Sequence, residues 1–462
     1  MTDLAALLQP DRGQAAVPLH LVDKKSFESW LNDQPGRVRA AVGAQGFKGE
    51  GFELAILPGE RDEWGALLGV ANVDELSPWC LAKAAEALPE GTYRVEGRSP
   101  GPAMLGWLLG QYRFARYKED KQPKGPRILL TDAPARIDET VALAEATFLV
   151  RDLVNTPAAD LGPQELEDSA AALAAAFGGT LTVTKGDALG EGYPMVAAVG
   201  RAATPERAPR MIELAWGDQR HPKIAIVGKG VCFDSGGLDI KGAEGMRLMK
   251  KDMGGAAHAL ALARLVMGAK LPVRLHLLIP AVENAISAAA FRPGDVLRSR
   301  KGLTVEIGNT DAEGRLILGD ALARAGEESP ELIVDFATLT GAARVALGPD
   351  LPATFVNDEA LAADLIGAGD AVSDPLWRMP LWKPYAEMLS SDIADIGNMG
   401  DGPMAGSVTA ALFLQKFVPE EISWVHLDTF AWRAKPRPGR PKGGDALGLR
   451  AVFDALKVRY SN

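Results

Sequence analysis

Cysteine is nearly absent: Cys80 and Cys232 are the only two in 462 residues. That excludes a disulfide framework and a four-cysteine zinc site, and it suits a reducing cytoplasm. Histidine is scarce as well. His20, His221, His258, His276 and His426 are scattered, and none begins the helical zinc motif in which a glutamate and a second histidine follow. A bound metal would therefore take mostly oxygen ligands. Basic charge is in deficit, with 50 Lys and Arg against 60 Asp and Glu and a net charge of −10. This argues against a general phosphate-binding surface, and so against nucleic acid as a partner. Long apolar runs are missing too: the best candidate, Leu275 to Phe291, is broken by His276, Pro280, Glu283 and Asn284, short of the ~20 apolar residues a membrane span needs. The amino-terminal residues, with Asp3 ahead of a short apolar stretch, lack the pattern of an export signal.

What is present describes a folded globular chain, 47% hydrophobic and 24% charged, too long for one compact core and divided into two domains or three. The polar stretch Arg113 to Arg127 ends in turn residues and reads as a loop. After the strand-like Arg127-Ile-Leu-Leu-Thr131, the segment Ala135 to Val154 sets Ile137, Val141, Ala144, Phe148 and Leu149 at helical spacing and stops near Pro157. The expected organisation is a small N-terminal α/β domain over residues 1–130, a connecting helix over 131–157 and a larger C-terminal α/β domain over 158–462. The excess acidity lies almost entirely beyond Arg127.

In the downstream part, apolar runs of strand length (Met195 to Val199, Met211 to Ala215, Ile224 to Val227, Val273 to Ile279, Leu332 to Phe336, Trp424 to Leu427) alternate with helical patterns such as Ala256 to Met267 and Leu316 to Ala325. Runs polar on neither face suit strands covered on both sides, which predicts a mostly parallel central sheet with ligands at the carboxyl ends of its strands. There is no internal repeat, and the Pro, Arg and Gly-rich tract Arg433 to Gly444 reads as a surface loop.

Three segments carry chemistry. In Lys223-Ile-Ala-Ile-Val-Gly-Lys229-Gly-Val-Cys-Phe-Asp234-Ser-Gly-Gly-Leu-Asp-Ile-Lys241 a buried strand feeds a loop holding lysines and an acid. Gly228-x-Gly230 begins like a dinucleotide fingerprint, but Phe233 stands where the third glycine belongs. Asp234-Ser-Gly-Gly also echoes a serine-protease loop without a placed histidine, and a plain β-turn explains it equally well. In Met249-Lys-Lys-Asp252-Met-Gly-Gly, Asp252 stands where a helix begins, and the default reading is an N-cap. In Leu303-Thr-Val-Glu-Ile-Gly-Asn309-Thr-Asp311-Ala-Glu313-Gly-Arg315-Leu316 a strand runs through a turn into a helix. Asp311, Glu313 and Arg315 alternate, so they share a face while the backbone stays extended. Two close carboxylates call for a positive charge between them, most economically a divalent cation. An acidic helix start that complements the dipole is the competing reading.

Asn309-Thr-Asp-Ala-Glu-Gly-Arg-Leu316 resembles the signature octapeptide of the leucyl aminopeptidases, cytosolic metalloproteases with two metal ions. The resemblance extends to Val227-Gly-Lys-Gly with Phe233-Asp-Ser-Gly-Gly and Lys241, to Asp252-Met-Gly-Gly-Ala-Ala257 and to Ala337-Thr-Leu-Thr-Gly-Ala342, four motifs in order over about the last two thirds of the chain. It implies that residues 158–462 form the catalytic domain of an aminopeptidase that removes the N-terminal residue of peptides by a metal-bridging hydroxide. It further implies Lys229, Asp234, Asp252, Asp311 and Glu313 as ligands, with Asp234 and Glu313 bridging both ions. The metals would be zinc or manganese, with magnesium or cobalt also compatible. Lys241 would stabilise the tetrahedral intermediate, and Arg315 would hold a bicarbonate as proton shuttle. Met249, Asn309, Thr338, Leu339 and Gly341 would line the substrate cleft. A cytoplasmic homohexamer acting on peptides is implied as well.

The first 130 or so residues carry no matching motif and are short for the family's N-terminal domain. The chain also departs from the family's usual His-Leu-Asp-Ile-Ala-Gly, reading His426-Leu-Asp-Thr-Phe430-Ala-Trp432. The larger side chains there would narrow or reshape the side-chain pocket. Two other functions compete with hydrolysis. A DNA-binding regulator has only the Arg113 to Arg127 cluster in its favour, and a dead scaffold would require loss of a ligand that the sequence retains.

Overall fold

The computed structural model describes residues 3–118 and 125–461, which divide into two compact units. Unit 1 takes residues up to Phe148 together with Ala434–Lys442. Its sheet holds β1 (Leu8–Pro10), β2 (Val17–Val22), β3 (Leu54–Pro58), β4 (Trp64–Gly69), β5 (Gly91–Val95) and β6 (Arg127–Thr131). The order is β1-β6-β5-β2-β4-β3, parallel except for β3. Buried Trp107 and Tyr93 pack against one another on this sheet, and the Trp107 indole N–H donates to the Arg127 carbonyl at 2.9 Å. The segment 434–442 is fixed within the unit by the Gly439 N–H on Glu86 (2.7 Å) and by the Arg440 guanidinium 4.1 Å from the centre of the Trp79 ring. Of the polar stretch read as a loop, residues 119–124 lie outside those described, and 113–118 form neither helix nor strand.

The helix Ile137–Asn155 falls across the division at Phe148 and Leu149. Unit 2 holds β7 (Thr180–Thr184), β8 (Arg210–Trp216), β9 (Lys223–Gly228), β10 (Gly230–Asp234), β11 (Arg274–Asn284), β12 (Val296–Arg298), β13 (Thr304–Glu306), β14 (Leu332–Ala337), β15 (Ala353–Val356), β16 (Trp377–Arg378), β17 (Ile396–Gly397), β18 (Ser423–Asp428), β19 (Trp432–Arg433) and β20 (Gly443–Gly444). Its main sheet runs β16-β15-β18-β14-β9-β11-β8-β7, with β10 alongside β11. The centre, β18-β14-β9-β11, is parallel, and antiparallel neighbours flank it on both sides. Helices Gly254–Gly268 and Glu313–Glu327 are buried along most of their length. Such cover is why β9 and β14 are largely apolar without alternation.

One expected strand is a helix. Met195 to Val199 lies inside Pro194–Gly200, and the apolar run misleads because a helix buried all round shows the same composition as a buried strand. Pro194 suits the first helical position, and the Asp320 carboxylate accepts the buried first-turn donors Met195 N–H (2.8 Å) and Val196 N–H (3.2 Å). Its other oxygen accepts Arg300 N–H at 2.8 Å. Asp320→Ala is therefore expected to cost about 2 kcal/mol, the loss of a buried cap, measured by urea denaturation; a loss below a few tenths would remove Asp320 from this role.

The tract Arg433 to Gly444 is exposed only in its middle. Its feet are buried because Asp445 binds Arg433 Nε at 2.9 Å and Arg151 Nη2 at 3.1 Å, with Arg151 itself fully buried.

Candidate active site

The chain leaves β9 at Lys229 and re-enters the sheet as β10 beside β11, so Lys229 stands at the carboxyl end of a central parallel strand. Its N–H donates to Phe336 O (3.0 Å) and its carbonyl accepts Ala256 N–H (2.8 Å), which ties β9, β14 and the helix Gly254–Gly268 together. One glycine of the motifs is sterically required there, and a second leaves room for the Lys229 side chain. A Cβ on Gly255 would lie 2.2 Å from Phe336 O, and one on Gly314 would lie 2.6 Å from Lys229 Nζ.

Lys229 is 2% exposed. Its ammonium lies 2.7 Å from Asp252 Oδ2 and 3.0 Å from Glu313 Oε1, and it donates to Thr338 O at 3.1 Å. Burial opposes the charge, but Asp252, Glu313 and Asp234 together hold the group above the ordinary lysine range. Asp234, at the end of β10, accepts Gly236 N–H and the Asn284 amide at 2.9 Å each, and its other oxygen lies 2.8 Å from Lys241 Nζ. Lys241 also pairs with Asp311. Burial and the nearby Asp234 charge raise Asp311 to about 6. Burial, then Asp234, pushes Glu313 up to about 8. Asp252 goes the other way: burial would raise it, and Lys229 and Lys251 overcome that to hold it at about 2.

Two local expectations are corrected. Asp311 sits in a turn and Glu313 is the first residue of the helix Glu313–Glu327, so they share no extended face. Both carboxylates nonetheless converge on Asp234, because the turn folds Asp311 onto Lys241 while the helix start carries Glu313 to Lys229. Asp252 is no N-cap. The helix begins at Gly254 behind Met253, and the Asp252 side chain instead accepts Thr338 Oγ1–H at 2.8 Å.

Arg315 is half-buried in the first turn of its helix, and desolvation of its guanidinium draws its value down to about 10 against the pull of Glu313. Its Nη1 donates to Asn398 O at 2.7 Å, and its Nε has no hydrogen-bond partner. Asn398, which the sequence did not point to, also clamps the signature loop by accepting Gly308 N–H (2.8 Å) and donating to Asn309 O (2.7 Å). Asp428, at the end of β18, holds the opposite wall by accepting Leu339 N–H (3.0 Å), Thr340 N–H (3.2 Å) and Thr340 Oγ1–H (2.6 Å). The His426 ring, on the same strand, meets Asp335 at 2.5 Å. Phe430, half-buried, lies between Lys251 and Arg344.

All twelve residues singled out in the sequence (Lys229, Asp234, Lys241, Met249, Asp252, Asn309, Asp311, Glu313, Arg315, Thr338, Leu339 and Gly341) line one cavity of about 390 Å³. Lys251, Arg344, Met399, Met404, Thr409 and Thr429 join them. Asp234, Asp252 and Glu313 each offer an oxygen within 4.8 Å of the others. Asp252 Oδ2, Asp311 Oδ1 and both Glu313 oxygens accept no hydrogen bond, although lysine ammoniums lie within ion-pair range. Buried carboxylates with unused lone pairs at this spacing fit divalent cations, and the oxygen donors with one amine suit hard or borderline metals.

Residues 148–453 match the Cytosol aminopeptidase family, catalytic domain. Residues 17–130, where no motif is legible by eye, match the M17 aminopeptidase, N-terminal domain. A probable cytosol aminopeptidase of Roseiflexus castenholzii is 43% identical over 370 residues, 76% of this chain and 75% of that one. One of Leifsonia xyli is 39% identical over 452 residues, 91% of this chain and 90% of that one. Among solved structures, the cytosol aminopeptidase from Coxiella burnetii superimposes with a TM-score of 0.93 at 44% identity, covering 98% of this chain and 99% of that one. The bottromycin maturation enzyme BotP in complex with Mn gives 0.86 at 32% identity, covering 96% and 100%.

Proposed function

Since the chain belongs to the cytosol aminopeptidase family and is a metal-dependent aminopeptidase, we propose that Lys229, Asp234, Asp252, Asp311 and Glu313 hold its two divalent cations. The observation that carries this reading is the set of buried carboxylate oxygens without hydrogen bonds, three residues of which lie within 4.8 Å of one another. Asp234 and Glu313 would serve both ions, Asp252 and Lys229 one, and Asp311 the other. Zinc or manganese fits the donors, as do magnesium and cobalt. Such cations supply Lewis acidity for the scissile carbonyl and a water acidic enough to attack near neutral pH.

The residues divide the remaining work. Lys229 can donate to a metal only as a neutral amine, so loading must displace the proton that Asp252 and Glu313 now stabilise. Lys241 keeps its charge beside Asp234 and Asp311 and points from a loop into the cavity, where it would donate to the scissile carbonyl oxygen as negative charge develops. Arg315 has a buried Nε without a hydrogen-bond partner and would hold a planar oxyanion such as bicarbonate, which would supply a proton shuttle there. Met249, Asn309, Thr338, Leu339 and Gly341 would flank the bound peptide. Peptide substrates, a homohexameric assembly and a cytoplasmic setting belong to the same reading, with family membership as their support.

Hydrolysis of leucine p-nitroanilide should fall to background after exhaustive chelation and return on adding manganese or zinc. Undiminished activity in the chelated enzyme would overturn the two-cation reading.

A further inference from the structure

Beyond the cations, the cavity wall carries more positive charge than its carboxylates balance. Lys229, Lys241, Lys251, Arg315 and Arg344 face it against Asp234, Asp252, Asp311 and Glu313, before any divalent ion adds to the total. Three of these cations have an assignment in the aminopeptidase reading. Lys251 and Arg344 have none.

Arg344 lies on the short helix Gly341–Leu347, directly after the wall held by Asp428. Its guanidinium stands 4.7 Å from the centre of the Phe430 ring and makes no hydrogen bond or ion pair among the described residues. Lys251 reaches the same ring, with its Nζ 5.5 Å from the centre. It is 2% exposed, and its one ion pair among the described residues is a long one, 3.4 Å to Asp252 Oδ1. That carboxylate is already engaged by Lys229 at 2.7 Å and by the Thr338 hydroxyl at 2.8 Å. Two cations thus meet one aromatic ring, one with only a long and shared counter-charge and the other with none among the described residues, and both border the cavity. A ring face offsets part of the cost of confining a cation, but like charges held together in a partly dry wall favour an incoming anion.

We propose that Arg344 and Lys251, ordered by Phe430, form a carboxylate-binding subsite that selects peptides whose first residue is glutamate or aspartate. This rests on the aminopeptidase reading and specifies its substrate class. The position favours a side-chain carboxylate of the first residue over the carboxyl end of a short peptide. Lys251 directly precedes Asp252 and shares a turn with Met249, so its ammonium borders the centre that would anchor the free amine. Where the usual family segment has small and aliphatic residues this chain has Thr429 and Phe430, and the Phe430 ring is the surface against which both cations rest.

The test compares kcat/KM for Glu-, Asp-, Gln- and Leu-p-nitroanilide with the manganese-loaded full chain; these substrates have no terminal carboxylate. Glutamate should exceed its neutral isostere glutamine by roughly tenfold or more, the worth of a charge-assisted pair. Arg344→Met should bring that ratio close to one, and Arg344→Lys, which keeps the charge, should retain most of it. A wild-type ratio at or below one overturns the proposal, as does an unchanged ratio in Arg344→Met. So does a gain that appears only when Leu-Gly is compared with Leu-Gly-amide, which would locate the carboxylate at the far end of the peptide. Failure to cleave any of the substrates would instead bring down the aminopeptidase reading itself, and this subsite with it.

Discussion

Glu313→Gln is expected to lower kcat/KM on the order of a thousandfold or more while the chain folds as before. The side chain is 1% exposed and both its oxygens lack hydrogen bonds, with Lys229 as the one close cation among the described residues. In the metal-free protein this carboxylate is a burden. Burial and Asp234 raise it from 4.5 to about 8, so the charged form costs folding energy that grows as pH climbs from the unfolded value toward the folded one. An amide of the same shape removes that cost, and the metal-free variant should melt at or above the wild-type temperature at pH 8. On the proposed ligand set the loss falls instead on cation binding, since an amide oxygen carries no net charge with which to hold a divalent ion. Calorimetric titration with manganese, thermal melting and p-nitroanilide rates separate these effects. Near wild-type turnover would remove Glu313 from the ligand set. Asp311→Asn should act in the same direction, with a smaller change in metal-free stability because its side chain is 32% exposed.

The second large effect concerns stability. Asp445→Asn should cost about 3–5 kcal/mol, the penalty for leaving buried charge unpaired. Asp445 is 2% exposed and joins two guanidiniums, Arg151 at 3.1 Å and Arg433 at 2.9 Å, and Arg433 also reaches Asp350 at 2.9 Å. The neutral amide withdraws the Asp445 charge from both buried guanidiniums. Burial by itself would raise the Asp445 value, and the two arginines overcome it, holding it below the ordinary aspartate range. The contribution is therefore present above the unfolded carboxylate value and fades as pH falls through the lower folded one. The wild-type advantage over Asp445→Asn should shrink only in strong acid. A denaturation midpoint shift equivalent to less than 1 kcal/mol at neutral pH would show the triad to be energetically idle.

The parts of the site legible in the sequence were those in which one short segment carries both ligand and local geometry. Lys229 to Lys241 and Asn309 to Arg315 each combine a strand end, a turn and charged residues, and the resemblance to a known octapeptide supplied roles that spacing alone left open. The convergence of Asp311 with Glu313 was expected for the wrong reason, since an extended backbone was assumed where a turn and a helix start do the work. Asn398, Asp428 and Arg344 were not legible. Each acts through partners about 90 residues away in sequence, as Asn398 with Asn309 and Asp428 with Thr340, and no local pattern records such pairings. Met195 to Val199 failed because length and burial look alike for a short strand and a short buried helix. The parallel sheet was readable from runs polar on neither face. In the N-terminal unit, by contrast, only the family comparison exceeded what composition could say.

The boundary between the two units is crossed three times, at 148–149, 433–434 and 442–443. A gene cut after residue 148 thus does not deliver a whole unit 1, because nine of its residues are encoded near the far end of the chain. If a protease nicked the folded protein at that first crossing, the later fragment would still hold a piece of the earlier one's structure. The halves should then stay together on a sizing column and separate only in denaturant. Insertions and fusions placed between Arg433 and Gly443 would, for the same reason, be read by both units at once.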